Sequence, residues 1–531
     1  MINTTRTARG IAVAPHHLAS QAALAILRDG GNAIEAMVAA ASTIAVVYPH
    51  MNSIGGDGFW LIVKPDGETL AIDACGAAAN DLDIDRYLAR GLTAIPTRGP
   101  LAANTVAGTV SGWELALQIS SGLGGRQSLG ALLADAIHYA RHGFPVSDSQ
   151  RETTLAKLEE LQYISGFSNV FLPGGQVPQT GANFTNPALA ATLQTLAEDG
   201  LDSFYRGPLA ERIAADLAFA GSPVSLADLQ MHRAELKRPL QLTHSLGTLF
   251  NTAPPTQGLV SLAILGLLDR AGLAAVTADS ADHVHLVVEA TKLAFGLRDR
   301  FITDPAHMRV DPQSLLAPAA LDLLAQDIDP RQAAPWGAGR GPGDTIWMGV
   351  CDGSGLAVSF IQSIYHEFGS GVVLPATGIN WQNRGASFSL DPAHLCALLP
   401  GKKPFHTLNP AAARLHDGRV MVYGNMGGDG QPQSQAAVFT RHAVFGQPLQ
   451  SAVTAPRWLL GRTWGQTSDT LKLESRFPAE TVQALRQRGH EVEVLGAYDS
   501  AFGHAGAIVR HPDGTLEGAS DPRSDGVAAG F

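Results

Sequence analysis

A ten-residue stretch, Pro335-Trp336-Gly337-Ala338-Gly339-Arg340-Gly341-Pro342-Gly343-Asp344, divides this chain more sharply than any other segment. So much glycine and proline removes the backbone preferences of helix and strand, which predicts an exposed, mobile segment. Directly behind it, residues 345–351 and 356–361 are apolar, strand-like runs joined by Asp352-Gly353-Ser354-Gly355, the composition of a hairpin turn. Thr345 is therefore the first residue of a strand that is fed by a linker.

The rest of the chain alternates helices and hairpins. Residues 20–27 are an Ala/Leu-rich helical segment stopped by Gly30 and Gly31. Asn32 with Glu35 then forms an N-cap pair for a second apolar helix reaching about Val47 and ended by Pro49. The many small residues of both predict close packing against a sheet. The cluster Gly55-Gly56-Asp57-Gly58 lacks the Lys-Ser/Thr ending and the following helix of a phosphate loop, and reads as a tight turn. Residues 59–63 and 69–72, separated by Lys64-Pro65-Asp66-Gly67, read as a hairpin. From about Gly112 to Gln326 helical segments, such as 186–199, 208–220 and 282–297, alternate with Gly/Pro turns, and no catalytic motif stands out. His283 and His285 lie two apart on the last of these helices and point to different faces, which makes them packing or surface residues rather than a metal pair.

Composition removes whole classes of function. At 531 residues, 45% hydrophobic and 16% charged, the chain can bury a large core and reads as soluble and globular, with its domain count left open by length alone. A net charge of −11 with no basic stripe argues against nucleic acid. Cys75, Cys351 and Cys396 are too few and too scattered for a disulfide framework or a metal site, and read as buried reduced thiols. No apolar run has the length of a signal peptide or a membrane span, so no membrane partner and a cytoplasmic location are expected. There is no HExxH, paired CxxC, GxGxxG after a strand, or GxSxG elbow.

What remains is Thr345. A Thr opening a strand is by itself only a residue of good β-propensity. It becomes chemistry if the chain is cut between Asp344 and Thr345, because an N-terminal Thr carries its own base in the free α-amino group. That amine titrates near ~7.7–8.0, so a useful fraction is neutral at physiological pH. The same hydroxyl can make the cut by attacking the Asp344 carbonyl, giving an ester that water opens.

Six segments, in order, resemble the γ-glutamyltranspeptidase family of N-terminal-nucleophile hydrolases, and the resemblance covers nearly the whole chain. They are Leu27-Arg28-Asp29-Gly30-Gly31-Asn32-Ala33, Gly55-Gly56-Asp57-Gly58-Phe59, Asn104-Thr105-Val106-Ala107-Gly108, Phe368-Gly369-Ser370-Gly371, Gly424-Asn425-Met426-Gly427-Gly428 and Gly518-Ala519-Ser520-Asp521-Pro522-Arg523. By this resemblance Thr345, seven residues before Asp352 in Val350-Cys351-Asp352, is the nucleophile. Ser363, five residues before Phe368-Gly369, supplies the second hydroxyl. Gly427 and Gly428 supply the N–H pair of the oxyanion hole. The resemblance also implies an α/β protein, an αββα four-layer sandwich. Residues 1–344 would be the large (alpha) fragment and 345–531 the small (beta) fragment, self-associated in one intertwined domain with no metal and no cofactor. A homodimer or a heterotetramer of processed chains stays open.

The sequence departs from the family at the substrate. The Arg that holds a γ-glutamyl α-carboxylate is missing from Ala71-Ile72-Asp73-Ala74-Cys75-Gly76. The positions that bind the glutamyl amine are Tyr365, Arg384 and Ser387, and the carboxylate-binding Ser pair is His406-Thr407. A cation at Arg384 repels an ammonium group, and Arg384 with His406 can instead clamp an anion beside the reacting carbonyl. The resemblance therefore implies an autoprocessed amidohydrolase acting on a small anionic acid amide. The alternatives are a γ-glutamyl hydrolase or transpeptidase, a glutaryl-type acylase, and an uncleaved binding subunit with no activity. Arg384 could also simply pair with a structural carboxylate such as Glu367.

Overall fold

The computed structural model describes residues 3–337, 343–462 and 468–531. Helix Ala33–Val47 begins where its cap was expected: Asn32 Oδ1 accepts from the Ile34 and Glu35 amides at 3.0 and 3.1 Å, and Glu35 Oε2 accepts from the Asn32 amide at 2.9 Å. The Ala33 amide donates to Asp352 Oδ2 at 2.9 Å, so the far end of the Thr345 strand is docked on this helix N-terminus, where a carboxylate is favoured. Replacing Asn32 with Ala removes the two capping bonds and the contact with Ser120, and is expected to lower stability by about 1–2 kcal/mol, read from a denaturant melt.

Two antiparallel seven-stranded sheets form the centre. One runs Val527–Gly530, Gly10–Ala14, Asp344–Asp352, Ala357–Tyr365, Asp57–Val63, Thr69–Ala74, Glu235–Lys237. The other runs Thr5–Thr7, Leu516–Ser520, Gly506–Arg510, Val420–Gly424, Ala411–Leu415, Gly247–Asn251, Leu240–His244. Each contains strands from both sides of Thr345. Side-chain alternation explains the layering. Ile346, Met348 and Val350 face helices His17–Arg28 and Ala33–Val47, whereas Trp347 and Cys351 enter the layer between the sheets with Val13, Leu61, Val422 and Ile508. The outer face of the second sheet packs on helices Gly258–Arg270 and Ala281–Phe301 through Leu249, Leu262 and Val287. Helix, sheet, sheet and helix make the expected αββα sandwich.

Two expectations need correction. The stretch 112–326 is not helices and turns alone, because it contributes Glu235–Lys237 and the hairpin Leu240–His244 with Gly247–Asn251. In Leu240–His244 buried and exposed residues alternate strictly, a period-two signal confined to five residues. The Gly/Pro stretch is also not uniformly exposed: Trp336 packs on Phe295 at 5.9 Å between ring centroids, and Asp344 already belongs to a strand. Residues 338–342 of that stretch lie outside the described residues. The three cysteines are buried and unbridged. Among the described residues no helix is long and apolar enough to cross a membrane.

Candidate active site

Thr345 has the parity of Trp347 and Cys351, which turns it toward the layer between the sheets, and it is 1% exposed. Its Oγ1 accepts from Gln431 Nε2 at 3.3 Å. Gln431 lies in the first turn of helix Gly430–Phe439, shortly after the glycine pair, and its Oε1 accepts from Asn409 Nδ2 at 3.4 Å.

Ser363 lies on the neighbouring central strand, not at a strand-edge turn, and its Oγ accepts from the Tyr365 amide at 2.8 Å. That bond holds Tyr365 in a left-handed conformation, φ 82°, costly for an aromatic residue. The strand thereby ends by swinging the Tyr365 ring over Arg384, whose Cζ is 3.9 Å from the ring centroid. Gly56 must be glycine here, since a Cβ would lie 2.2 Å from the Ser363 carbonyl oxygen.

Gly427 and Gly428 adopt φ of 106° and 52°, and among the described residues neither amide N–H meets an acceptor. Such a pair can receive an oxyanion. Gly343, two residues before Thr345, lies against the same turn: a Cβ on it would be 3.4 Å from Gly428 Cα and 3.2 Å from Tyr365 Cε2.

Arg384 is the most informative side chain. It is 1% exposed, and among the described residues none of its three guanidinium nitrogens finds a hydrogen-bond acceptor. It does not pair with Glu367, which instead lies 3.6 Å from Arg98. Burial lowers Arg384 to about 10, so it stays charged at neutral pH. Around it the Nδ1 and Nε2 of His406, Thr407 Oγ1 and Asp57 Oδ2 are likewise buried without a hydrogen-bond partner. Buried polar atoms are normally satisfied, so this concentration can receive a ligand. Burial, and then Arg384, holds His406 well below the usual histidine range, so it is neutral. Ser387 is set apart, its hydroxyl donating to the Phe405 carbonyl at 3.2 Å.

Gln257 ties the two halves together: its Nε2 donates to the Thr407 and Gly428 carbonyls, both at 2.8 Å. Asn409 Nδ2 also donates to the Thr407 carbonyl at 2.8 Å, which completes a brace from Thr407 through Gln431 to Thr345. Gln257, Asn409, Gln431 and Asp57 were not singled out in the sequence. Asp57 left a signal, a carboxylate inside a glycine cluster at the start of a buried strand.

The two helix histidines face different neighbours. His283 Nε2 meets Thr440 Oγ1 at 3.0 Å, and His285 Nδ1 meets His490 Nε2 at 2.8 Å. Glu289 completes a possible ligand trio with His285 and His490, but its carboxylate is already matched by Lys292 at 2.7 Å and the Ala334 amide at 3.0 Å.

The family description Gamma-glutamyltranspeptidase matches residues 19–531. The chain is 65% identical to the oxamate amidohydrolase proenzyme of Klebsiella pneumoniae over 532 residues, covering 100% of both chains. It is 39% identical to a glutathione hydrolase-like proenzyme, YwrD, of Bacillus subtilis, over 98% of each. The crystal structure of cephalosporin acylase from Bacillus halodurans superimposes with a TM-score of 0.91 at 33% identity, over 100% of this chain and 97% of that one.

Proposed function

The chain belongs to the γ-glutamyltranspeptidase family, and from that premise we propose that it is an autoprocessed amidohydrolase that converts oxamate to oxalate and ammonia. In the precursor, Thr345 Oγ attacks the Asp344 carbonyl carbon. The peptide nitrogen leaves as the Thr345 amine, and water opens the resulting ester, leaving fragments 1–344 and 345–531. In the processed enzyme the same hydroxyl attacks the amide carbonyl of the substrate. The α-amino group takes the hydroxyl proton and passes it to the departing ammonia. The amides of Gly427 and Gly428 hold the oxyanion, Ser363 supplies a hydroxyl beside the nucleophile, and water then releases the acid.

One observation carries the substrate class: a buried guanidinium with no acceptor of its own among the described residues, stacked on the Tyr365 ring that also borders Gly343. Arg384 takes the substrate carboxylate, Thr407 adds a hydroxyl donor, Tyr365 holds the guanidinium plane, and His406 lines the wall. The 65% identical relative is named for oxamate, an amide whose carboxylate adjoins the scissile carbonyl. The location we assign is the cytoplasm.

Processed protein given oxamate should release ammonia and oxalate in equal amounts. A γ-glutamyl anilide should be cleaved on the order of 10² times less efficiently in kcat/KM, because its ammonium group meets Arg384. Turnover of the anilide with no ammonia from oxamate would overturn the assignment.

A further inference from the structure

Asp57 brings the wrong charge to an anion pocket. Its Oδ1 accepts from the Gly76 and Gly108 amides, both at 3.0 Å, which fixes the carboxylate plane. Its Oδ2 is buried without a donor and lies 3.2 Å from His406 Nε2, close but out of hydrogen-bond alignment. Asp57 is also the register partner of Ser363 on the adjacent strand, so it sits on the face that carries the site.

Charge counting exposes the difficulty. With His406 neutral, Arg384 and Asp57 cancel in the empty pocket. A substrate carboxylate then leaves one uncompensated negative charge in a dry cavity, a costly state. Among the described side chains the neighbours offer no spare cation, and the Thr345 amine must be neutral to act as the base. On the adjoining strand and the turn after it, Asp73 is matched by Lys403 at 2.8 Å, and Lys403 is shared with Glu235 at 3.0 Å. Burial holds the Cys75 thiol and the Tyr205 phenol protonated and keeps His232 neutral, lowered to about 4. Tyr365 lays its ring face on Arg384.

We propose that docking of the substrate carboxylate on Arg384 takes up one proton, held between Asp57 Oδ2 and His406 Nε2, so that Asp57 changes from a repelling anion into a hydrogen-bond donor. This rests on the reading of Arg384 as the anion anchor. The step balances as protein with ionised Asp57, plus substrate anion, plus one proton, giving the complex with neutral Asp57. Burial already raises the Asp57 carboxyl to about 6 despite the two amides and Arg384 that favour its ionised form, and a second anion raises it further. At pH 8 about one empty molecule in a hundred then carries the proton, so affinity for the anion falls about tenfold per pH unit above ~6.

Pyruvate, in which a methyl group replaces the amide nitrogen of oxamate, is a monoanionic probe that cannot be hydrolysed. Calorimetric titration at pH 8 in two buffers of different ionisation enthalpy should show the native protein taking up close to one proton more per bound pyruvate than Asp57→Asn does. The variant retains the Oδ1 acceptor for Gly76 and Gly108, and both proteins keep the Thr345 amine. Asp57→Asn should also bind pyruvate at least tenfold more tightly than native protein at pH 8, with a flatter pH dependence. Should the variant not fold, a tenfold loss of native affinity from pH 7 to 8 with net proton uptake still supports the proposal, and flat affinity without uptake overturns it. Pyruvate binding with equal proton uptake in the two proteins would sink this inference alone. No binding of pyruvate or oxamate to either protein would remove Arg384 as the anchor and this inference with it.

Discussion

Thr345→Ala is expected to leave the protein as a single 55.6 kDa chain on a denaturing gel and to abolish amide hydrolysis. The native chain should instead run as fragments of 344 and 187 residues. One oxygen atom carries both effects, since Oγ is the proposed attacking atom first toward Asp344 and later toward the substrate. Loss of such a nucleophile costs on the order of 10⁴-fold or more in rate, and here it also withholds the N-terminal amine that serves as base. The fold should survive, because the strand pairing of Trp347 with Ile361 and of Gly349 with Val13 does not involve the hydroxyl. Thr345→Ser, which keeps the oxygen, should still be cut. A cut Thr345→Ala chain would overturn the assignment of the nucleophile.

The sequence made the local elements readable where the signal was short-range. Asn32 and Glu35 marked a helix start through a capping box that needs only four residues, and Lys64-Pro65-Asp66-Gly67 marked a hairpin that closes on itself. The hairpin Leu240–His244 with Gly247–Asn251 went unread because its strands are five residues each, too short for alternation to stand out in a stretch that is mostly helical. The strand behind the linker was legible, and it runs Asp344–Asp352, whereas the role proposed for Thr345 came from a resemblance. The glutamine and asparagine brace was not, because Gln257, Asn409 and Gln431 act through carbonyls and hydroxyls brought together from three distant segments, and an amide side chain carries no sequence motif. Arg384 shows the same limit from the other side. Its identity could be read, but its value lies in what does not pair with it, which only the packed structure displays.

That isolation makes Arg384 a test in which stability and activity should move in opposite directions. Arg384→Met keeps an unbranched stem against the Tyr365 ring while removing the charge. Truncating one partner of a buried charge-assisted contact costs about 2–5 kcal/mol, so kcat/KM for oxamate should fall by roughly 10²–10³-fold, most of it through KM. Arg384→Lys should restore little, because a point charge cannot reproduce a bidentate fork. Processing should persist in both variants, since the attack on Asp344 involves no substrate anion, and two bands on a gel with a raised KM separate a binding defect from a folding one. A buried guanidinium without an acceptor is itself a cost to the empty protein, so Arg384→Met should not lower the melting temperature and should raise it where Asp57 can take up a proton, at about pH 6 and below. At higher pH the loss of Arg384 leaves the ionised Asp57 without its cation, and the gain should shrink. A variant that is less stable at pH 5.5 would mean that Arg384 holds the fold together instead of waiting for an anion.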